Sequence, residues 1–219
     1  MYDKFSSDYD RFVNWKNRLS AEMPFLEETI TKAFPSKHTN LRILDAATGT
    51  GMHAVEFAKH GFEVCGADLS DGMIQQARKN AANVQSKVRF ETAGFGNLAQ
   101  TFELSTSTSV GNKSDMLGFD VVLCLGNSLP HVSSSADLDI ALKDFANCLK
   151  PGGMLIIQNR NFDAVMSARE RWMEPQSHIE SDKEWVFLRF YDYLPDGLIN
   201  FNIITLTRAG NEGWKQSIS

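Results

Sequence analysis

The sequence predicts a doubly wound α/β fold with an N-terminal helical segment and a C-terminal antiparallel β extension. Two observations carry that prediction. Between residues 41 and 160, short continuously apolar runs alternate with amphipathic helical segments, as in a parallel sheet covered on both faces by crossover helices. The first apolar run, Ile43-Leu44-Asp45-Ala46, opens into Thr48-Gly49-Thr50-Gly51. A glycine-rich turn between a strand and a helix lets a ligand approach the backbone closely.

The elements follow in chain order. Residues 8–34 place Phe12, Trp15 and Leu19, then Phe25, Leu26, Ile30, Ala33 and Phe34, at helical spacing, which predicts two amphipathic helices broken near Met23-Pro24. Residues 41–46 read as a first strand, and Met52 to His60 as a helix stopped by Gly61. "FEVCGADLS" is a second strand, and Ser70-Asp71 caps the helix that begins "DGMIQQARKNA". "KVRFETA" supplies a third strand and "FDVVLCLG" a fourth. "DLDIALKDFANCLK" is a helix ended by Pro151-Gly152-Gly153, and "GMLIIQNR" is a fifth strand. Residues 97–118 stand where a covering helix would fall, but their Ser/Thr run predicts a solvated loop of unreadable function. After residue 183, alternating apolar residues around Pro195-Asp196-Gly197 predict two long antiparallel strands and the start of a third. Because the chain stops inside that third strand, a C-terminal portion is expected to be missing.

Bulk properties bound the function. A chain of 219 residues, 42% apolar and 22% charged, has the balance of a globular protein with one sizeable core. Its net charge of −5 and the lack of any basic run longer than Arg78-Lys79 argue against nucleic acid as a partner. No apolar leader opens the sequence and no run approaches a membrane span, so a cytoplasmic location with no membrane partner is expected. Cys65, Cys124 and Cys148 lack C-x-x-C spacing and read as buried free thiols, with no metal site implied. Nothing in the sequence decides whether the chain forms a homo-oligomer.

The candidate site lies at the strand ends. Asp68 closes the second strand, where a carboxylate can accept hydrogen bonds from two ribose hydroxyls. Gly49 to Ala54 also fits the dinucleotide pattern G-x-G-x-x-A, so the loop alone leaves NAD and S-adenosylmethionine open. Asp45 favours the second: a carboxylate beside the loop repels a pyrophosphate and attracts an ammonium and a sulfonium. Asn127 and Arg160 follow the fourth and fifth strands, so four segments distant in sequence converge on one crevice. An arginine there suits a carboxylate through its planar fork, with an internal acid such as Asp163 as the alternative partner.

Four motifs in order, "LDAATGTG", "VCGADLSDGMI", "VVLCLGNSLPHV" and "LKPGGMLIIQNRNFD", make the chain resemble a class I S-adenosylmethionine-dependent methyltransferase of Rossmann-like fold. It is similar, specifically, to the glycine and sarcosine N-methyltransferase group, over residues 41 to about 165. The resemblance implies a single methyltransferase domain over residues 1–219: a helical lid (1–38), a cofactor-binding core (39–160) and a substrate-side β extension (161–219). It implies that Ala46, Gly49 and Gly51 approach the methionine end of the cofactor while Asp45 supports its amino group. Asp68 would hold the ribose, Leu69 and Phe95 would meet the adenine, and Gly94 offers no side-chain acceptor for the exocyclic amine. Leu125 and His131 would contact the cofactor, His131 as a positioning group. Asn127 would orient an acceptor amine and Arg160 would hold a carboxylate on the acceptor, these two serving as the catalytic pair. Tyr9, with Trp15 and Arg18, lies in the segment that covers the site, and Tyr9 would reach the substrate. The implied reaction is methyl transfer to the amine of a small-molecule substrate such as glycine or sarcosine, leaving S-adenosylhomocysteine. Another small-molecule N- or O-acceptor, an NAD-dependent oxidoreductase and a non-catalytic cofactor-binding protein stand as alternatives.

Overall fold

The computed structural model describes residues 2–36, 40–104 and 118–218. The chain divides into two compact units, one of Met1–Asn14 with Asn161–Ser219 and one of Trp15–Arg160.

The larger unit contains helix α2 (Trp15–Ala33) and five parallel strands: β1 (Arg42–Asp45), β2 (Glu63–Asp68), β3 (Arg89–Thr92), β4 (Phe119–Cys124) and β5 (Leu149–Ile157). They lie in the order β3-β2-β1-β4-β5, so the order reverses beside β1 and opens a crevice at the strands' carboxyl ends. Helices α3 (Met52–Lys59), α4 (Asp71–Asn83), α5 (Leu98–Thr101) and α6 (Ser135–Cys148) connect the strands.

The continuous apolar strands are explained by their two faces. Successive side chains point to opposite sides of a sheet. Ile43, Val64, Val121 and Leu123 accordingly join one core with α2, α3 and α4, which contribute Met23, Leu26, Ile30, Phe57 and Ile74. Leu44, Cys65, Val122 and Cys124 join a second core with Phe102, Phe119, Ala141 and Phe145. All six residues of β4 are buried, as a central strand with two covered faces requires.

The predicted elements are present with four corrections. No break occurs at Met23-Pro24: α2 runs through Pro24, and Val13–Asn14 separate it from α1 (Tyr2–Phe12) instead. Proline removes one internal hydrogen bond and costs about 3 kcal/mol in a helix interior. Burial of Met23, Leu26 and Ile30 on one face of α2 opposes that cost. Helix α6 ends at Cys148, before the proline, and β5 starts at Leu149. The segment predicted as a loop over 97–118 opens with α5 and buries Phe102 and Leu104, while its Ser/Thr run lies outside the described residues.

The fourth correction concerns the smaller unit, which holds α1, α7 (Phe162–Ala168) and an antiparallel sheet in the order β6-β7-β8-β9. Strands β7 (Lys183–Tyr193), β8 (Ile199–Ala209) and β9 (Lys215–Ile218) match the expected extension. Strand β6 (Gln176–Glu180) was not expected, because only its central residue, His178, is partly covered and no apolar alternation marks it. Within this unit Phe12 packs edge-on to Phe187, and Arg11 pairs with Glu180.

Candidate functional site

Four strand ends in the larger unit assemble the site. Asp45, the last residue of β1, is only 2% exposed and accepts a hydrogen bond from Thr48 Oγ1 at 2.8 Å. Burial raises its pKa above the ordinary carboxylate value and Asp68 adds to that, while His53, the Thr48 bond and Arg18 pull the other way without cancelling it. Beyond Asp45 the loop is pinned to both neighbouring strands, Ala46 N–H to Leu123 O and Thr48 N–H to Ala67 O, each at 2.8 Å.

Both loop glycines adopt left-handed backbone, with φ of 55° at Gly49 and 78° at Gly51. Their constraints differ. A Cβ on Gly51 would lie 2.7 Å from the Phe90 ring and 2.8 Å from Ala77 Cβ, whereas a Cβ on Gly49 would meet nothing within 4 Å. Gly51 therefore locks the loop onto α4 and β3, and Gly49 leaves open space at the turn. Asp68 at the end of β2 accepts Gly49 N–H through Oδ2 and Ser70 N–H through Oδ1, each at 2.9 Å. A carboxylate oxygen can accept more than one hydrogen bond. The next side chain, Leu69, is 80% exposed. Phe95 is half-buried with its ring edge-on to Phe145 at 5.1 Å.

After β4 the chain turns sharply. Leu125 is buried, and Gly126 and Asn127 have φ of 72° and 66°. Asn127 N–H donates to Gln158 O at 3.2 Å, and Asn127 Oδ1 accepts the backbone N–H of Arg160 in a short hydrogen bond. The amide expected to face an acceptor amine thus also ties the ends of β4 and β5 together. Arg160 is exposed, not enclosed at the end of a buried strand, because β5 is an edge strand whose carboxyl end opens to solvent. His131 ends a 3₁₀ turn, Leu129–His131, and partial desolvation of its ring lowers its pKa. Tyr9 belongs to α1 in the smaller unit, where its ring lies 6.1 Å from that of Phe12.

Sequence reasoning missed a charged cluster on the same rim. Glu22 on α2 accepts from Arg18 Nε at 3.1 Å, from Gln158 Nε2 at 2.9 Å, and lies 2.8 Å from His53 Nε2. Gln158 Oε1 in turn accepts Gly126 N–H at 3.0 Å. The amide of Gln158 thereby links α2 to the turn after β4. The Arg18 guanidinium covers Gly126, where a Cβ would sit 3.2 Å from one of its nitrogens, and also lies over the Trp15 ring. Burial alone would raise the Glu22 pKa, but the bonds from His53 and Gln158 and the Arg18 charge hold it at about 2, below the ordinary 4.5. His53 is 4% exposed and sits at a variable position of the glycine pattern, so only its burial beside an acid could have signalled it.

A parallel sheet with its order reversal at β1, a left-handed glycine turn and carboxylates closing β1 and β2 define a nucleotide-cofactor-binding α/β domain. The methyltransferase domain family model matches residues 43–153, and the chain belongs to that family. Membership settles the cofactor class that the glycine pattern left open, S-adenosylmethionine in place of a dinucleotide. The chain is 29% identical over 182 residues to the glycine/sarcosine N-methyltransferase of Parasynechococcus marenigrum (strain WH8102), covering 83% of this chain and 58% of that protein. It is 27% identical over 212 residues to the glycine/sarcosine N-methyltransferase of Aphanothece halophytica, covering 93% and 73% respectively. The crystal structure of DesVI from Streptomyces venezuelae superposes with a TM-score of 0.71 at 17% identity, over all of this chain and 79% of that one, which shows a shared fold. The chain therefore spans a little over half the length of the first of these relatives. Among the described residues, no helix is long and apolar enough to cross a membrane and no group of three or more His, Cys, Asp or Glu could hold a metal ion.

Proposed function

We propose that the chain transfers a methyl group from S-adenosylmethionine to the amine of a small amino acid, with glycine or sarcosine as the acceptor class. The observation that carries the reading is the convergence of Asp45, Asp68, the Gly49–Gly51 turn, Asn127 and Arg160 at the carboxyl ends of β1, β2, β4 and β5. Similarity to two glycine/sarcosine N-methyltransferases supports the acceptor class.

The residues present fit the cofactor. Asp45 is a buried carboxylate whose ionised form an ammonium would favour, Asp68 is a carboxylate of the kind that accepts hydrogen bonds from ribose hydroxyls, and Leu69 presents an uncovered apolar side chain beside it. Gly49 leaves room for close approach at the turn. Ala46, Gly49 and Gly51 would border the methionine portion, with Leu125 and His131 at the opposite rim, and Phe95 would wall the adenine. When bound, the cofactor supplies an electrophilic methyl on a sulfonium, with a neutral thioether as leaving group.

The chain's own groups then need mainly to position the acceptor and exclude water. Arg160 holds the acceptor carboxylate through its fork of donors. Asn127 Oδ1, a carbonyl oxygen with two lone pairs, takes an N–H of the neutral amine alongside the Arg160 backbone N–H. Held in this way by Asn127 and Arg160, the neutral amine would direct its lone pair at the methyl that a bound cofactor would supply, and its surplus proton would be lost to solvent.

The test is labelled methyl transfer to glycine, sarcosine, dimethylglycine, an amino sugar and a simple hydroxyl acceptor. Transfer confined to the amino acids supports the reading, and transfer confined to any other acceptor overturns the carboxylate clamp. Arg160→Lys should lower kcat/KM for the amino acid by about 10- to 100-fold, since the bidentate geometry is lost, with S-adenosylhomocysteine affinity unchanged. Asp68→Ala should weaken S-adenosylhomocysteine binding by a similar factor. Undiminished binding would remove the ribose assignment.

A further inference from the structure

One buried carboxylate beside the site takes part in none of the steps above. Asp144 on α6 is 5% exposed, and its two oxygens accept three backbone N–H bonds: Gly96 at 2.7 Å and Leu98 at 2.8 Å on Oδ2, and Ala99 at 3.0 Å on Oδ1. The adjacent residue, Phe145, is fully buried and meets the Phe95 ring edge-on at 5.1 Å. Two consecutive residues of α6 thus fix the segment that follows β3, one by its backbone and one by its aromatic ring. The segment's other end is tied to the end of β2 through Ala93 N–H to Asp68 O at 3.0 Å.

The sequence between these anchors is Ala93-Gly94-Phe95-Gly96, which carries no polar side chain. Gly94 lies directly against Leu69, since a Cβ there would be 2.9 Å from the exposed end of that side chain, Cδ1. If adenine lies against Leu69 and Phe95, hydrogen bonds from this segment to the base edge come from the backbone, and selectivity depends on where the backbone is held.

We propose that Asp144, with Phe145, is a positioning residue that sets the cofactor's base specificity by holding the 93–99 segment. The inference rests on the adenine placement under Proposed function. Asp144→Asn keeps the size of the side chain but turns one acceptor into a donor facing backbone N–H groups, which releases the segment.

Calorimetric binding of S-adenosylhomocysteine and of S-inosylhomocysteine, which differs only in the base edge, tests the proposal on the full chain. Phe95→Ala should weaken S-adenosylhomocysteine binding, and Asp144→Asn should raise its Kd about 10-fold and shrink the preference for adenine over hypoxanthine several-fold. The double variant should bind no worse than the weaker single one, because both act through one segment. Phe145→Leu, which keeps apolar volume but removes the ring, should also lose base preference and serves if Asp144→Asn does not fold. Wild-type base preference in folded Asp144→Asn, or in Phe145→Leu when the former does not fold, overturns the positioning role, as do fully additive losses in the double variant. Wild-type affinity in Phe95→Ala overturns the adenine placement itself and the inference with it.

Discussion

Replacing Glu22 by Gln tests how the charged cluster at the glycine loop is held. Glu22 has a pKa of about 2 in the folded chain against an ordinary 4.5, because hydrogen bonds from His53 and Gln158 and the charge of Arg18 outweigh the opposing effect of burial. A carboxylate whose folded pKa is depressed contributes stability that is fully present above the unfolded pKa and disappears as pH falls through the folded one. The window here runs from about 4.5 down to about 2. That gap is worth about 3 kcal/mol at full strength, and because the Glu22 side chain keeps 22% of its exposure, screening reduces it to about 1–2 kcal/mol. Wild-type protein should therefore exceed Glu22→Gln in unfolding free energy at about pH 5.5, and the gap should narrow by about 0.5–1 kcal/mol by about pH 3.5. Urea unfolding followed by tryptophan fluorescence measures both curves, and Trp15, packed edge-on to His53, reports on the cluster directly. A gap that stays constant across the range would refute the hydrogen-bonded, ionised state assigned to Glu22.

The remaining predictions concern the loop, the ligand and the thiols. Gly51→Ala should destabilise the fold by about 2–4 kcal/mol, through contacts at 2.7–2.8 Å and positive φ, and Gly49→Ala by only about 1 kcal/mol, since open space surrounds it. Equal losses in denaturant titrations would contradict the packing argument. Burial raises the Asp45 pKa, so binding of an ammonium-bearing ligand should weaken as pH falls through that raised value and, at or below it, release a proton. Calorimetry in buffers of different ionisation enthalpy should detect that proton, and Asp45→Asn should abolish it. Burial drives the Cys124 and Cys148 thiols up to about 12, so thiol reagents at pH 8 should label them only after unfolding. Rapid labelling of native protein would show those cores to be open.

How much was legible follows from how locally each feature is encoded. Strands β1, β2 and β4 were readable because a strand covered on both faces must be apolar at consecutive positions, and the glycine turn because its conformation demands particular residues. Pro24 misled for a physical reason: a local preference worth a few kcal/mol was overridden by burial of Met23, Leu26 and Ile30 in contacts that form only in the folded chain. The Glu22 cluster is only partly local. Arg18 and Glu22 stand four residues apart on α2, a helical pair, but the remaining members come from α3, the turn after β4 and the end of β5, and no spacing rule connects that pair to residues 53, 126 and 158. Asp144 was hidden differently, as one acid among the polar residues of an amphipathic helix, where its burial is invisible without the partner segment.

The same distinction separates the two ends of the site. The proposed cofactor contacts from Asp45 to Leu69 lie within one β-α-β stretch, so a local motif can specify them and the family model captures them between residues 43 and 153. The proposed acceptor contacts instead join the ends of β4 and β5, where Asn127 Oδ1 takes the N–H of Arg160, thirty-three residues away. Arg160 itself is exposed, so little packing dictates its side-chain position. Its geometry depends on the Asn127 bond and on Gln158, whose amide holds Gly126 on one side and Glu22 on the other. A change at Gln158 should therefore disturb the acceptor end before the cofactor end. Gln158→Ala is expected to raise the KM for the acceptor more than the Kd for S-adenosylhomocysteine, and a larger effect on the Kd would show that the cluster serves the glycine loop instead.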